Sequence, residues 1–469
     1  MSEILFEPFR IKVVEPIKMS TREEREIFIR EAGYNVFNLR AEDVLIDLLT
    51  DSGTSAMSQE QWAALQTGDE SYAGSKSFFA LESIAKEIFQ KHTIIPVHQG
   101  RAGEHLVFST LVSEGDIVPS NSHFDTTAAN VADNGGNPVN FQIEEALDAS
   151  CWHPFKGNMN IEKLEKLLET ESEKVPFVVL TITNNAGGGQ PVSLANVKQV
   201  ADVCEKFDKP LLIDACRFAE NAYFIKKREE GYSDWSAKEI AQEVFRYASL
   251  VTFSAKKDAL ANVGGLVCLD DADLAEKLKN RLIVTEGFPT YGGLAGRDLA
   301  AIAQGLKEVL DENYLRYRLR TIEWMVERLV DNGVPVVVPA GGHAFYLDVA
   351  RFLPHLSAEQ LPGIAIVVEL YVRGGIRAVE LGHVAFGKQL DSGCDMHPRL
   401  DLVRFAMPRR VYTEAHAGYV VEQIIRLYHD KDNVKGYRFY FEAPVMRHFR
   451  STFAPLVPGT SHGVSFYHT

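Results

Sequence analysis

Short β-branched runs that alternate with amphipathic helical segments place this chain in the α/β class, a sheet layered with helices. Two observations carry that expectation. From about Phe177 the strand-like runs "FVVLTIT" (177–183), "PLLIDA" (210–215), "ASLVTFSA" (248–255) and "GGLVCLD" (264–270) recur. Between the first two, "LANVKQVADVCEKFDK" (194–209) sets Val197, Val200, Ala201, Cys204 and Phe207 on one helical face. Ligands of such sheets gather where strands end.

The other elements follow in the same way. "HTIIPVHQG" (92–100) and the following "RAGEHLVFSTLV" read as strand, glycine turn and helix. Near the N-terminus, Ser20 with Glu23 and Thr21 with Glu24 each fit a capping box, and Gly33 is a plausible helix stop. Beyond about Asp311, "NYLRYRLRTIEWMVERLVDNG" leads to "VPVVVPAGGHAFYLDV", a second helix-plus-strand unit that suggests a smaller C-terminal domain. The tail "FAPLVPGTSHGVSFYHT" has no period, as either an ordered arm or a loose end would.

Length and composition bound the function. At 469 residues there is room for two or three domains with substantial cores. A formal charge of −15 argues against nucleic-acid and anionic-membrane partners, which reward clustered positive charge. The five cysteines show no metal-ligand spacing and suggest no disulfide framework. No secretory leader opens the chain and no apolar run approaches a membrane span, so a cytoplasmic protein is expected.

Four stretches with chemical potential fall where strands give way to helices. In "HQGRAGE", Gly100 lets the backbone turn and puts Arg101 near a helix N-terminus, which attracts anions. In "LLIDACRFAEN", Asp214 ends an aliphatic run and Arg217 follows; a structural Asp–Arg pair would explain them equally well. "TITNNAGGGQPVS" offers Asn185 before three glycines, a loop that needs positive φ. "VTFSAKKD" sets Lys256 and Lys257 beside a core strand, where lysines are costly to bury. Together these parts suit pyridoxal phosphate (PLP). That cofactor needs a lysine for its imine, a carboxylate opposite the ring nitrogen and an anion cradle. Only one of the two lysines can carry the imine, and the other would depress its neighbour's pKa; their spacing does not say which is which.

From about Phe6 to Phe453 the sequence resembles the β-eliminating lyases. The matching stretches are "EPFRIK", "IDLLTDSGT", "GDESYAGS", "HQGR", "AGGGQPVSLAN", "RFAENAYFIK", "SAKKDA", "EGFPTYGGLAGRD" and "MPRRVYT". The resemblance implies the aspartate-aminotransferase-like fold of PLP enzymes (fold type I). Residues 1–57 would form an N-terminal arm and part of the small domain, 58–311 the large cofactor-binding domain, and 312–469 the small domain with its tail. It implies that Lys257 carries the cofactor, with Lys256 its electrostatic neighbour. Asp214 would pair with the pyridine nitrogen and Arg217 with the ring 3′-oxygen. Gly100, Arg101 and Ser254 would hold the phosphate, and Phe124 would stack on the ring. Thr50, Ser52, Asn185 and Arg404 would fix the substrate carboxylate, the last by its paired N–H fork. Tyr72 would protonate the leaving group. Glu70, with the carbonyls of Gly53 and Asn262, would bind potassium across a subunit interface in a homotetramer.

Members of the family cleave tryptophan or tyrosine, and three positions bear on the choice. The arginine that recognises the phenol hydroxyl, in a motif like "MERG", is absent from Val379-Glu380-Leu381-Gly382. Asp125 follows Phe124 where tyrosine-cleaving members carry Thr, and His448 stands where they carry Phe. The resemblance therefore implies β-elimination of tryptophan to indole, pyruvate and ammonium, with Lys257 as the base. The alternative is elimination from tyrosine or another β-substituted amino acid. Asp125 could accept the indole N–H and stabilise the positive charge that develops there. Singly, Leu381 could be core filler, Asp125 a helix cap and His448 a surface histidine. "HQGRAGE" inverts the family's Gly-Ala order, and 125–141 resembles neither branch closely.

Overall fold

Thr21, not Ser20, opens the first helix: its side chain and that of Glu24 close a reciprocal box around Arg22–Glu31, and Gly33 follows with φ 64°. The computed structural model describes residues 6–389, 395–396 and 398–456. Cys394 and the aperiodic tail beyond Leu456 lie outside the described residues.

A short strand β1 (Ile46–Asp47) precedes the main sheet. The sheet is built from β2 (Thr93–Val97), β3 (Ile117–Ser120), β4 (Asn137–Asn140), β5 (Val178–Thr181), β6 (Leu211–Asp214), β7 (Leu250–Ser254) and β8 (Gly265–Leu269). Their order is β2-β8-β7-β6-β5-β3-β4, and β8 alone runs antiparallel to its neighbours. The β5, β6, β7 and β8 strands are buried throughout, hence the continuous apolar runs in place of alternation. Each strand is shorter than its apolar run. β7 stops at Ser254 because Ala255 N turns to Gly264 O and starts the one-turn helix Ala255–Asp258.

The remaining strands are β9 (Ala344–Asp348), β10 (Ile376–Arg377), β11 (Val379–Leu381), β12 (Lys388–Gln389), β13 (Asp395–Met396), β14 (Leu402–Ala406), β15 (Tyr437–Phe441) and β16 (Thr452–Pro455). An antiparallel sheet β11-β14-β9 is the scaffold of the C-terminal part, and β1 pairs with β10, so the N-terminal segment joins it. One core cluster gathers residues between Phe78 and Leu319, whereas a second joins Ile29–Leu48 to residues between Ile322 and Phe453. The helix Glu312–Asp331 serves both: Leu315 and Leu319 enter the first core, Ile322, Met325 and Leu329 the second. Among the described residues no helix is long and apolar enough to cross a membrane.

Candidate active site

The C-terminal ends of β2, β6 and β7 meet at one edge of the sheet. The helix Gly100–Leu111 starts there, and its N-cap residue Gln99 makes no side-chain capping bond, so the first N–H groups face the edge unserved by a cap. Gly100 is required by close approach: a Cβ on it would lie 2.6 Å from Ser254 Cβ and 3.2 Å from Ser254 Oγ. Arg101 follows on the exposed side. Gly100 and Ser254 thus come together, with Arg101 the next residue along the helix.

Asp214 ends β6 and is buried, its Oδ1 accepting Cys216 N at 3.1 Å. Lys256 and Lys257 are half-buried on the one-turn helix. Burial, then the Lys257 charge, then Arg101 push the Lys256 ammonium below its usual pKa. Sequence reasoning missed Glu104, one turn into the helix that starts at Gly100. Burial raises its pKa to about 7, Asp214 adds to the rise, and a Thr127 hydrogen bond, Lys257 and Arg101 oppose it. Thr127 Oγ1 donates to Glu104 Oε1 at 2.8 Å. Asp214 and Lys257 therefore act on a common neighbour from opposite sides of the charge scale.

Arg217 does not pair with Asp214. Its Nε and Nη2 donate to Asp51 Oδ2 and Oδ1 at 3.0 and 2.8 Å. Arg409 Nη1 donates to the same Asp51 Oδ2 at 2.9 Å, and Arg409 Nη2 reaches Glu220 Oε1 at 3.1 Å and Asp258 Oδ1 at 2.9 Å. Burial would raise the Asp51 carboxyl, but the Arg217 and Arg409 charges hold it well below the ordinary carboxylate range. None of these partners was legible beforehand.

Asn185 and Arg404, expected to act together, do meet. Asn185 Oδ1 lies 2.9 Å from His343 Nε2, 3.0 Å from Arg404 Nη1 and 3.1 Å from Tyr346 Oη. Arg404 Nη2 donates to Leu49 O at 2.9 Å, which brings in the segment with Thr50 and Ser52; Arg404 Nε is buried without a partner. Burial and the Arg217 charge hold His343 well below its usual pKa and neutral. In the small sheet Arg404 stands opposite Val379 on one side and Tyr346 on the other. Val379 and Leu381 belong to a small apolar cluster with Tyr346 and Leu402, so Leu381 lines the face that carries Arg404.

Phe124 is the N-cap of the helix Asp125–Asp133 and half-buried. Asp125, the first residue of that helix, accepts Thr126 N on Oδ1 at 2.6 Å and turns Oδ2 to His448 Nε2 at 3.2 Å. His448 is no surface histidine: it is 6 % exposed, packed edge-on against Phe37 at 5.7 Å, with its carbonyl held by Asn35. Asp125 and His448, far apart in sequence, converge.

Of the other expected residues, Gly53 and Asn262 meet, whereas Tyr72 and Glu70 have other partners. Tyr72 is 70 % exposed, and its ring neighbours are Phe288 and Tyr291. Asn262 Nδ2 donates to Gly53 O at 3.0 Å. Glu70 is engaged elsewhere, taking Gly296 N at 2.9 Å and Arg297 Nε at 3.3 Å at the start of the helix Gly296–Glu308. Among the described residues no His, Cys, Asp and Glu side chains cluster as a metal site.

The family model for β-eliminating lyases matches residues 47–423. The chain is 55 % identical over 452 residues to a tryptophanase of Hyphomonas neptunium, covering 96 % of this chain and 99 % of that one. It is 46 % identical over 451 residues to a tyrosine phenol-lyase of Symbiobacterium thermophilum, covering 96 % and 98 %. Among solved structures, Sphingomonas wittichii serine palmitoyltransferase superposes with a TM-score of 0.59 at 15 % identity, covering 88 % of this chain and 97 % of that one. At that identity the likeness concerns the fold alone, the fold type I architecture of PLP-dependent enzymes. The chain is a carbon–carbon lyase and belongs to the β-eliminating lyase family.

Proposed function

We propose that the protein is a PLP-dependent tryptophanase, converting tryptophan and water to indole, pyruvate and ammonium. The residues at the sheet edge fit the cofactor. An uncapped helix N-terminus with Gly100 against Ser254 suits a phosphate, a buried Asp214 suits a ring N–H, and Lys257 is the amine to which the aldehyde would attach. Once bound, the cofactor supplies an electron sink for the bond broken at the substrate α-carbon.

The protein's own groups do the rest. Arg404 Nε, a buried donor with no partner, is placed to take the substrate carboxylate beside Asn185. Lys257 holds and moves the α-proton. Asp125 faces the leaving ring, accepting its N–H and balancing the positive charge that ring protonation creates. Tyr72 is assigned the ring proton. Potassium, with Glu70, Gly53 and Asn262 as ligands, belongs to the same proposal, as do assembly into homotetramers and a cytoplasmic location.

One observation favours tryptophan over tyrosine: the buried approach of Asp125 Oδ2 to His448 Nε2 at 3.2 Å. The test compares indole release from tryptophan with phenol release from tyrosine, with potassium and with sodium. Indole in large excess, potassium-dependent and lost in Lys257→Ala, is expected. Comparable phenol release overturns the substrate assignment, and undiminished activity in sodium overturns the cation.

A further inference from the structure

We propose that Asp51 is a positioning residue that couples the amino-acid end of the site to its cofactor end, setting Arg217 directly and the Lys257 turn through Arg409. The inference rests on the PLP reading given above. Asp51 is 1 % exposed, and both its oxygens are committed: Oδ1 to Arg217, Oδ2 to Arg217 and Arg409. Arg409 passes to Asp258 Oδ1 at 2.9 Å; Asp258 Oδ2 takes Ala219 N at 2.8 Å, and Ala219 lies two residues beyond Arg217. The bonds therefore close a ring: Asp51, Arg217, Ala219, Asp258, Arg409 and back to Asp51. Asp258 is the residue after Lys257, so the ring fixes the end of the one-turn helix that carries the lysine.

The same five-residue segment touches the site at each end. Leu49 O holds Arg404 Nη2 at 2.9 Å, and Gly53 N donates to Lys256 O at 2.7 Å. Asp51 sits between them, flanked by Thr50 and Ser52. A carboxylate serving only as buried scaffolding needs no such neighbours. Placed here, it links any shift of Thr50 and Ser52 toward a substrate carboxylate to the orientation of Arg217. Buried charge networks are cooperative, so removing one member loosens the others even where, as here, Arg409 Nε and Glu220 Oε2 have no partner among the described residues.

The test is Asp51→Asn, which keeps shape but removes the charge that balances two arginines. Three quantities are read: the cofactor dissociation constant by reconstitution of the apoprotein, the KM for tryptophan, and the pH at which the bound cofactor's absorption band changes. Both constants are expected to rise about tenfold or more, and the spectral midpoint to fall by about one pH unit as Arg217 loses its counter-charge. Leu329→Ala, a cavity in the core away from the site, controls for lost stability. A lower melting temperature with binding constants and spectral midpoint unchanged, as in that control, overturns the inference. Should Asp51→Asn not fold, Arg409→Lys keeps the charge and loses the fork; a joint rise supports the coupling and unchanged constants refute it. The function proposal fails on the wild type, by lack of cofactor uptake or of indole, whereas this inference fails only on the variants.

Discussion

Replacing Asp125 by Asn isolates the group assigned to the indole ring. Asn can keep the short bond to Thr126 N, because Oδ1 is retained; only Oδ2, the atom facing His448 at 3.2 Å, becomes an uncharged amide. A unit negative charge about 4 Å from a developing positive one is worth roughly 4 kcal/mol at an effective dielectric of about 20. Loss of a comparable preorganised contact in other enzymes costs about 10²–10³ in kcat. Tryptophan turnover should therefore fall about 10²–10³-fold. An S-alkyl cysteine releases a thiolate without ring protonation, so its elimination needs no charge at Asp125 and should change less than about tenfold. Pyruvate formation, coupled to lactate dehydrogenase, reads both substrates in one assay. An equal loss on both substrates would show that Asp125 supports the site as a whole, and the assignment to the ring would be wrong.

Gly100→Ala should weaken cofactor binding about tenfold or more, since a Cβ 2.6 Å from Ser254 Cβ forces the phosphate cradle apart, at a cost of about 1–3 kcal/mol. Alanine is otherwise the better helix former, so unchanged affinity in equilibrium dialysis refutes the cradle. Two buried groups tilt apoprotein stability with pH in opposite directions. Burial drives the His123 pKa from 6.5 to about 4, so the unfolded chain takes up a proton the folded one refuses; stability present above 6.5 is lost as pH falls toward 4, up to about 3 kcal/mol. Glu104 is raised from 4.5 to about 7, so its contribution is full below 4.5 and lost as pH rises through 7. In denaturant melts, Glu104→Gln should gain on the wild type between pH 5 and 7.5. A gap that does not change with pH would mean the carboxyl is not held protonated.

Local features were readable because their causes are local. The Thr21–Glu24 box, the glycine turn at Gly100 and the strand ending at Asp214 all follow from neighbours within a few residues. The resemblance added Asn185 with Arg404, and the structure brings those two together. Asp125 and His448 were named singly; their meeting depends on how the C-terminal segment folds back over Phe37 and Asn35, and no local pattern encodes that. Arg217 is the plainest case. A pair with its near neighbour Asp214 was one reading of the sequence, yet it bonds Asp51, 166 residues earlier in the chain. Glu104 looked like an ordinary helix residue, and only burial against Thr127 gives it a shifted titration.

The helix Glu312–Asp331 has a consequence for recombining relatives of this protein. Leu319 and Ile322 are less than one turn apart but serve different interiors. A chimera that swaps the C-terminal lobe must therefore place its seam within a single continuous rod. The crossover that respects both sets of packing partners lies between those residues; a junction in a surface loop at either end of the rod carries half of it into a foreign interior.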